Sequence, residues 1–204
     1  RAGYAPILPK GFDHLCCGQM LASKGMAAEA EGMSNTLEAA LMKASENGKY
    51  PVIMDASTCT ARMQKHLAGR LMLYDFHEFA VDALLPRLVI NRERGPVALH
   101  VNCSVRKNGA DGKLRTLLKA CAEEIVEPAG VTCCGFAGDK GFVVPELTES
   151  ATAAEAAEVA GLLEREPKAA CYSTCRTCEI GMSRAVGRSY GPLFGLVHEA
   201  VTRA

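Results

Sequence analysis

An internal repeat is the feature that most constrains the fold of this chain. The stretch CCGQMLASKGM (16–26) returns as CCGFAGDKGF (133–142), with Cys-Cys-Gly followed by Lys-Gly and an apolar residue in both copies. The offsets of the matching positions are 117, 119 and 118 residues. A near-constant offset over three blocks predicts two homologous lobes. The two further matching pairs are 55–59 with 174–178, and 76–85 with 194–201.

Strand and helix patterns alternate along both halves of the chain, which favours α/β layers with mainly parallel pairing. We predict an α/β fold with two pseudo-repeated lobes, residues 1–92 and 93–204, each a mainly parallel sheet flanked by helices. The cysteine motifs are expected at the C-terminal ends of strands. The predicted strands are 50–57, 96–103, 129–134 and 168–174, and the predicted helices are 34–46, 113–127 and 149–166.

Ten cysteines indicate metal or redox chemistry in a chain of this kind. Disulfide scaffolds are usually short, secreted and poor in core, whereas this chain has 204 residues, of which 49% are hydrophobic. Its start, RAGYAPILPKGFDHLCCG, lacks the layout of a signal peptide. Disulfides combined with buried thiols stay the alternative. We expect an intracellular protein, either cytoplasmic or peripheral to the inner membrane face.

The charge balance and the hydropathy exclude two classes of partner. The 23 basic residues match the 23 acidic ones, so no basic field points to nucleic acid. No apolar run approaches the ~20 residues that a membrane-spanning helix needs. We therefore expect neither a nucleic-acid partner nor a membrane span.

The second lobe carries three cysteine groups in a specific order. Cys103 is followed after 29 residues by Cys133-Cys134-Gly135, and after a further 39 residues by Cys175-Arg-Thr-Cys178. Each group follows a predicted strand, and the carboxyl ends of parallel strands meet at one edge of a sheet. Soft thiolates in groups of four or five select zinc, copper(I) or iron–sulfur clusters. We expect a metal site at this edge.

Two further cysteines and two histidines are assigned to packing. Cys121 lies at helical spacing among apolar residues, and Cys171 lies inside a predicted strand, so both are expected to be buried structural thiols, with a ligand role for Cys171 as the alternative. His14 and His100 precede cysteine positions and are interpreted as ordinary strand residues, with hydrogen bonding to metal ligands as the alternative.

The order Cys, Cys-Cys-Gly and Cys-x-x-Cys resembles the cysteine-rich CCG domain. That domain occurs in heterodisulfide reductases, in the iron–sulfur subunit of glycolate oxidase and in lactate-utilisation proteins. The stretches CCGFAGDKGF with PEL, and TCRTCEIGM (174–182), are similar to the C-terminal region of FAD-dependent D-2-hydroxyacid (D-lactate type) dehydrogenases. The resemblance covers residues 12–204.

The resemblance implies a function as an iron–sulfur electron-transfer domain of such an oxidoreductase. It implies a 4Fe–4S-type cluster, or zinc instead, and the implied ligands are Cys103, Cys133, Cys134, Cys175 and Cys178. FAD and a ferredoxin-like segment would lie in an absent N-terminal portion, and electrons would pass to a quinone, a cytochrome or another acceptor. The alternatives are a heterodisulfide-reductase-like thiol/disulfide catalyst and a zinc-binding interaction domain.

The first lobe departs from this pattern. It offers Cys16, Cys17 and Cys59, but Ala56 stands where the second lobe has Cys175. The counterpart of Cys103 falls before the first residue, and we therefore expect the chain to be a fragment cut inside its first repeat. Three thiols are too few for a closed four-cysteine site. The first lobe is expected to bind metal only in a longer protein, to share a site with the second lobe, or to be vestigial.

Overall fold

The fold was obtained as a computed structural model that describes residues 1–130 and 133–202, without the side chains of residues 93 and 94. Within these ranges, no helix has the length and apolar character needed to cross a lipid bilayer. The strands are β1 (Val52–Met54), β2 (Leu73–Asp75), β3 (Glu93–His100), β4 (Ala122–Val126), β5 (Ala170–Ser173) and β6 (Tyr190–Pro192). The α-helices are α1 (Gln19–Ala22), α2 (Ala27–Ala44), α3 (Ser57–Leu67), α4 (Phe76–Phe79), α5 (Cys103–Lys107), α6 (Asp111–Cys121), α7 (Lys140–Val143), α8 (Pro145–Arg165), α9 (Arg176–Val186) and α10 (Leu193–Thr202).

The strands form two sheets, and every pairing described in them is parallel. One sheet pairs β1 with β2. The other has the order β4-β3-β5-β6. Helices flank both sheets, since parallel neighbours need crossover connections. The predicted α/β fold with two parallel, helix-flanked sheets is confirmed.

The repeat is visible in the element order. The unit α2-β1-α3-β2-α4 recurs as α8-β5-α9-β6-α10. Strands β3 and β4 have no counterpart among the described residues of the first repeat, which explains why one sheet has two strands and the other four.

One predicted helix is too long, and the strand predicted after it is displaced. The helix predicted at 113–127 ends at Cys121, and strand β4 follows it directly. The four buried positions of α6 keep helical spacing up to Cys121, but β4 is an edge strand beside β3, where its two glutamates remain exposed. The strand predicted at 129–134 is wrong where it is described, because residues 129–130 form a turn and 133–134 a loop. Val131 and Thr132 lie outside the described residues.

The largest core joins the two repeats. Leu99, Leu114, Leu118 and Leu196 are buried around the four-stranded sheet. Six side chains from residues 76–90 of the first repeat pack against this core: Phe76, Val81, Leu84, Leu85, Leu88 and Ile90. The division of the chain at residue 92/93 stays a prediction.

Candidate metal centre

The cysteines of both repeats meet at one cavity of about 1050 Å³. It is lined by all eight cysteines that the sequence marks as candidate ligands: Cys16, Cys17, Cys59, Cys103, Cys133, Cys134, Cys175 and Cys178. Cys121 and Cys171 do not line it, and both are buried in apolar cores, as predicted. All ten cysteines are free thiols.

The Cys-Cys-Gly turn has the same geometry in both repeats. The Gly18 amide donates to Cys16 Sγ and the Gly135 amide donates to Cys133 Sγ, each at 3.4 Å. Both glycines have positive φ, +79° and +68°. A Cβ would lie 2.3 Å from the Ala30 carbonyl oxygen at Gly18, and 2.6 Å from the equivalent atom of Leu147 at Gly135. Glycine is therefore required twice over, for its backbone conformation and for its missing side chain.

The second cysteine of each turn contacts the cysteine that follows the next strand. Cys17 Sγ lies 3.1 Å from Cys59 Sγ, and Cys134 Sγ lies 3.0 Å from Cys178 Sγ. These distances are longer than the ~2.05 Å of a disulfide bond. Each repeat thus holds one close pair of thiols, and the two pairs occupy matching positions in the two repeats.

Helix α9 places the Cys-x-x-Cys motif. Cys175 is its N-cap residue and Cys178 lies in its first turn. Hydrogen bonding from Cys178, and then from the Thr58 and Thr177 hydroxyls, lowers the pKa of Cys175 to about 5. Hydrogen bonding to Cys134 and Cys175, together with burial, raises the pKa of Cys178. Cys175 is therefore a thiolate at neutral pH.

Hydrogen bonds between thiols change the pKa values of other cysteines of the cavity in the same way. A hydrogen bond from Cys103 lowers the pKa of Cys133 to about 2, and the same bond raises the pKa of Cys103. In the first repeat, a bond from Cys59 lowers the pKa of Cys17 to about 6. Thiolates are the form in which cysteine binds metals, so three thiols of the cavity are preset for ligation.

Polar side chains of the first repeat contact the second-repeat site. Thr58 Oγ1 lies 3.3 Å from Cys175 Sγ and accepts a 3.3 Å hydrogen bond from Ser104 Oγ. Ser57 donates to the Thr174 carbonyl through both its backbone amide and its hydroxyl, at 3.1 and 3.0 Å. The site is thus built from both repeats.

Cationic side chains line the same cavity and offset thiolate charge. They are Arg62, Lys65, Lys107 and Arg176. Arg62 also donates to the Cys17 carbonyl at 2.6 Å and, through its charge, contributes to lowering the pKa of Cys17. Lys140 follows the second Cys-Cys-Gly turn closely in sequence but is not among the lining residues.

His100 is the side chain that sequence reasoning undervalued. It is fully buried at the C-terminal end of β3, and a ring nitrogen lies within 4.8 Å of the Cys134 and Cys178 sulfurs. The sequence signal that identifies His100 as a candidate site residue is its position near the end of a predicted strand, three residues before Cys103. The interpretation of His14 as a strand residue is wrong, because this residue lies exposed in a short 3₁₀ helix, Phe12–His14.

The donor set fits a metal or an iron–sulfur centre. Soft thiolates dominate it, and backbone amides donate to two of the sulfurs. The nearby His100 also has a buried ring nitrogen, Nε2, without a hydrogen-bond partner in the described part of the chain. A family profile described as the CCG cysteine-rich domain matches residues 7–64 and 97–183, one segment in each repeat. The chain belongs to the CCG cysteine-rich domain family. A comparison with curated proteins finds no match. The Cys-Cys-Gly motif in the family's name occurs twice in this chain, as the two turns whose cysteines line the cavity.

Proposed function

We propose that this CCG chain is an iron–sulfur electron-transfer domain of an oxidoreductase. The observation that carries the proposal is the convergence of eight free thiols, drawn from both repeats, on one cavity. The proposed second-repeat ligands are Cys103, Cys133, Cys134, Cys175 and Cys178. The proposed first-repeat ligands are Cys16, Cys17 and Cys59. The common cavity supports a site shared between the repeats over two separate ones.

The chain's own residues would prepare and shield the centre. Cys133 and Cys175 are held as thiolates by hydrogen bonds from neighbouring thiols and hydroxyls. The Gly18 and Gly135 amides point donors at cluster-binding sulfurs, and such hydrogen bonds tune the reduction potential. When bound, an iron–sulfur cluster supplies one-electron transfer. Arg62 and Lys107 balance part of the thiolate charge beside it.

The finer proposal is a role in a flavin-dependent D-2-hydroxyacid (D-lactate type) dehydrogenase. It is supported by the resemblance of the CCGFAGDKGF and TCRTCEIGM stretches to that class. FAD and ferredoxin-like domains of the same polypeptide would deliver electrons, and a quinone or cytochrome would accept them. The protein would act in the cytoplasm, at the inner membrane face where the acceptor is a quinone.

A second candidate is a thiol/disulfide redox catalyst of the heterodisulfide reductase kind. The cavity volume of about 1050 Å³ leaves room for a small substrate beside a metal centre. The second repeat also offers five thiols, one more than four-ligand sites need. This candidate predicts that a disulfide substrate is reduced by the chain itself when a chemical reductant is present.

Two measurements test the proposal at its two levels. Iron and acid-labile sulfide in protein purified without oxygen support the electron-transfer domain, and zinc in place of iron contradicts it. For the finer level, the full polypeptide is mixed with D-lactate or D-2-hydroxyglutarate, and the L-isomers serve as controls. Electron paramagnetic resonance is expected to show cluster reduction with the D-isomers alone. Equal reduction by both isomers, or by neither, contradicts the dehydrogenase role.

A further inference from the structure

The His100 side chain has one satisfied and one unsatisfied ring nitrogen. Its Nδ1 lies 2.8 Å from Glu155 Oε2 and 3.0 Å from Oε1. Its Nε2 is buried and has no hydrogen-bond partner among the described residues. A buried polar atom without a partner is costly, because it loses its hydrogen bonds to water and gains none in the protein. The unsatisfied Nε2 is therefore a candidate atom for binding a ligand.

The surroundings of His100 indicate which kind of ligand this is. A ring nitrogen of His100, Cys134 Sγ and Cys178 Sγ all lie within 4.8 Å of one another. With metal bonds of about 2.0–2.3 Å, the ligand atoms of a tetrahedral metal are about 3–4 Å apart. The two sulfurs are 3.0 Å apart, which is near this separation, and the ring nitrogen lies within 4.8 Å of both. All three residues are buried.

Glu155 completes the arrangement from the opposite side of the ring. It is a buried glutamate of α8, and both of its carboxylate oxygens face His100 Nδ1. Histidines that bind metals almost always donate their other ring N–H to a carboxylate, a backbone carbonyl or water. A proton on Nδ1 directed at Glu155 leaves the lone pair of Nε2 free for the metal.

We propose that His100 Nε2 is a nitrogen ligand of the second-repeat metal centre, next to Cys134 and Cys178, and that Glu155 is its positioning residue. This inference rests on the proposed function for the identity of the centre. The centre is then of mixed histidine and cysteine ligation. Compared with a thiolate at the same position, a neutral imidazole ligand raises the reduction potential of the centre. The negative charge of Glu155 counteracts part of that rise.

The first experiment detects the nitrogen directly. The chain is produced with ¹⁵N-labelled histidine, purified without oxygen and reduced, and electron–nuclear double resonance is recorded on the paramagnetic cluster. A directly bonded ¹⁵N coupling is expected. It should vanish in His100→Cys and persist in His198→Gln, which replaces an exposed histidine of α10. A cluster without such a coupling in the unsubstituted chain overturns the inference.

The reduction potential separates a ligand from a merely structural histidine. In His100→Cys a thiolate replaces a neutral imidazole, so the potential should fall while the cluster is retained. In Glu155→Gln the lost negative charge should raise the potential, and metal affinity should fall by about 10–100-fold. Glu149→Gln, an exposed position on the same helix, is the matched control and should change neither. Unchanged potentials in both His100→Cys and Glu155→Gln overturn the inference.

The metal content of the unsubstituted chain distinguishes this inference from the proposed function. If the chain holds zinc, the electron-transfer proposal fails, and X-ray absorption then counts the zinc ligands. A nitrogen at about 2.0–2.1 Å supports the His100 ligand, and an all-sulfur shell overturns it. A chain that binds neither iron nor zinc overturns both.

Discussion

At the scale of single residues, the glycines fix the shape of the Cys-Cys-Gly turns and the cysteines supply the sulfurs of the site. The glycine of each Cys-Cys-Gly turn lets the backbone reverse and places an amide 3.4 Å from the first cysteine's sulfur. The cysteines then differ in pKa because each thiol that donates a hydrogen bond stabilises the thiolate that accepts it. Cys133 and Cys175 are the main acceptors in the second repeat.

The requirement for Gly135 is testable against a second glycine with the same backbone conformation. Gly135 and Gly187 have φ of +68° and +70°, but only Gly135 lacks room for a Cβ. We expect Gly187→Ala to lower the free energy of unfolding by about 1–2 kcal/mol from backbone strain. Gly135→Ala should lose a further ~1–3 kcal/mol from overpacking. Urea unfolding of the metal-free proteins measures both, and equal losses would refute the close-packing argument.

The Thr58 hydroxyl provides a second test, on the pKa of Cys175. That pKa is about 5, partly because Thr58 hydrogen-bonds to the thiolate, so the charged form dominates above pH 5. Thr58→Val should move the titration of Cys175 to higher pH. The Cβ chemical shift of isotope-labelled cysteine in the metal-free protein follows it. Thr116→Val, on an exposed face of α6, is the control. An unshifted titration in Thr58→Val would show that the contact is incidental.

At the scale of elements, short parallel strands bring distant cysteines to one place. Strands β3 and β5 end at His100 and Ser173, which are paired in register, and their cysteines begin the helices that follow. The Cys133–Cys134 turn follows β4 less directly, because Cys133 lies seven positions after the strand ends at Val126. Side chains at both strand ends are therefore presented at the same edge of the sheet.

The sequence predicts this arrangement where its signals are local. The repeat offset, the buried strands β1, β3 and β5, and a common site for the five second-repeat cysteines follow from spacing and hydrophobic runs. The sequence leaves open whether the three first-repeat cysteines share that site, and the structure places them at the same cavity. Strands β2 and β6 escape prediction because their sequences, Leu-Tyr-Asp and Tyr-Gly-Pro, are not continuous apolar runs, unlike the Val-Ile-Met of β1. The sequence of β4 predicts a helix because its two glutamates favour that conformation. Only the pairing of β4 with β3 makes this segment a strand. The role of His100 depends on Glu155, 55 residues away, and no local pattern links them.

At the scale of the whole molecule, the two repeats share a core and a cavity. Residues 76–90 of the first repeat pack on the core of the four-stranded sheet, and Lys24 forms an ion pair with Asp139 at 2.6 Å across the repeats. The exposed ion pair contributes little, because water screens the attraction between its charges. The apolar packing and the hydrogen bonds from Ser57 to the Thr174 carbonyl are therefore what join the repeats.

Shared packing predicts that the repeats unfold together. We expect amide hydrogen exchange in increasing urea to show β1 and β5 losing protection at the same denaturant concentration. Replacing Leu84 by Ala, at the junction, should lower that midpoint for both strands equally. Loss of protection in β1 well before β5 would show that the first repeat is an independent folding unit.

The most direct test of the central claim compares two cysteines of equal burial. Cys134 and Cys171 are each 4% exposed, but only Cys134 lines the cavity. The chain and its Cys134→Ser and Cys171→Ser variants are purified without oxygen, and iron and acid-labile sulfide are measured per chain. We expect iron and sulfide in the unsubstituted chain and in Cys171→Ser, and a loss of both in Cys134→Ser. Full retention of iron and sulfide in Cys134→Ser would contradict the assignment of this cavity as the cluster site.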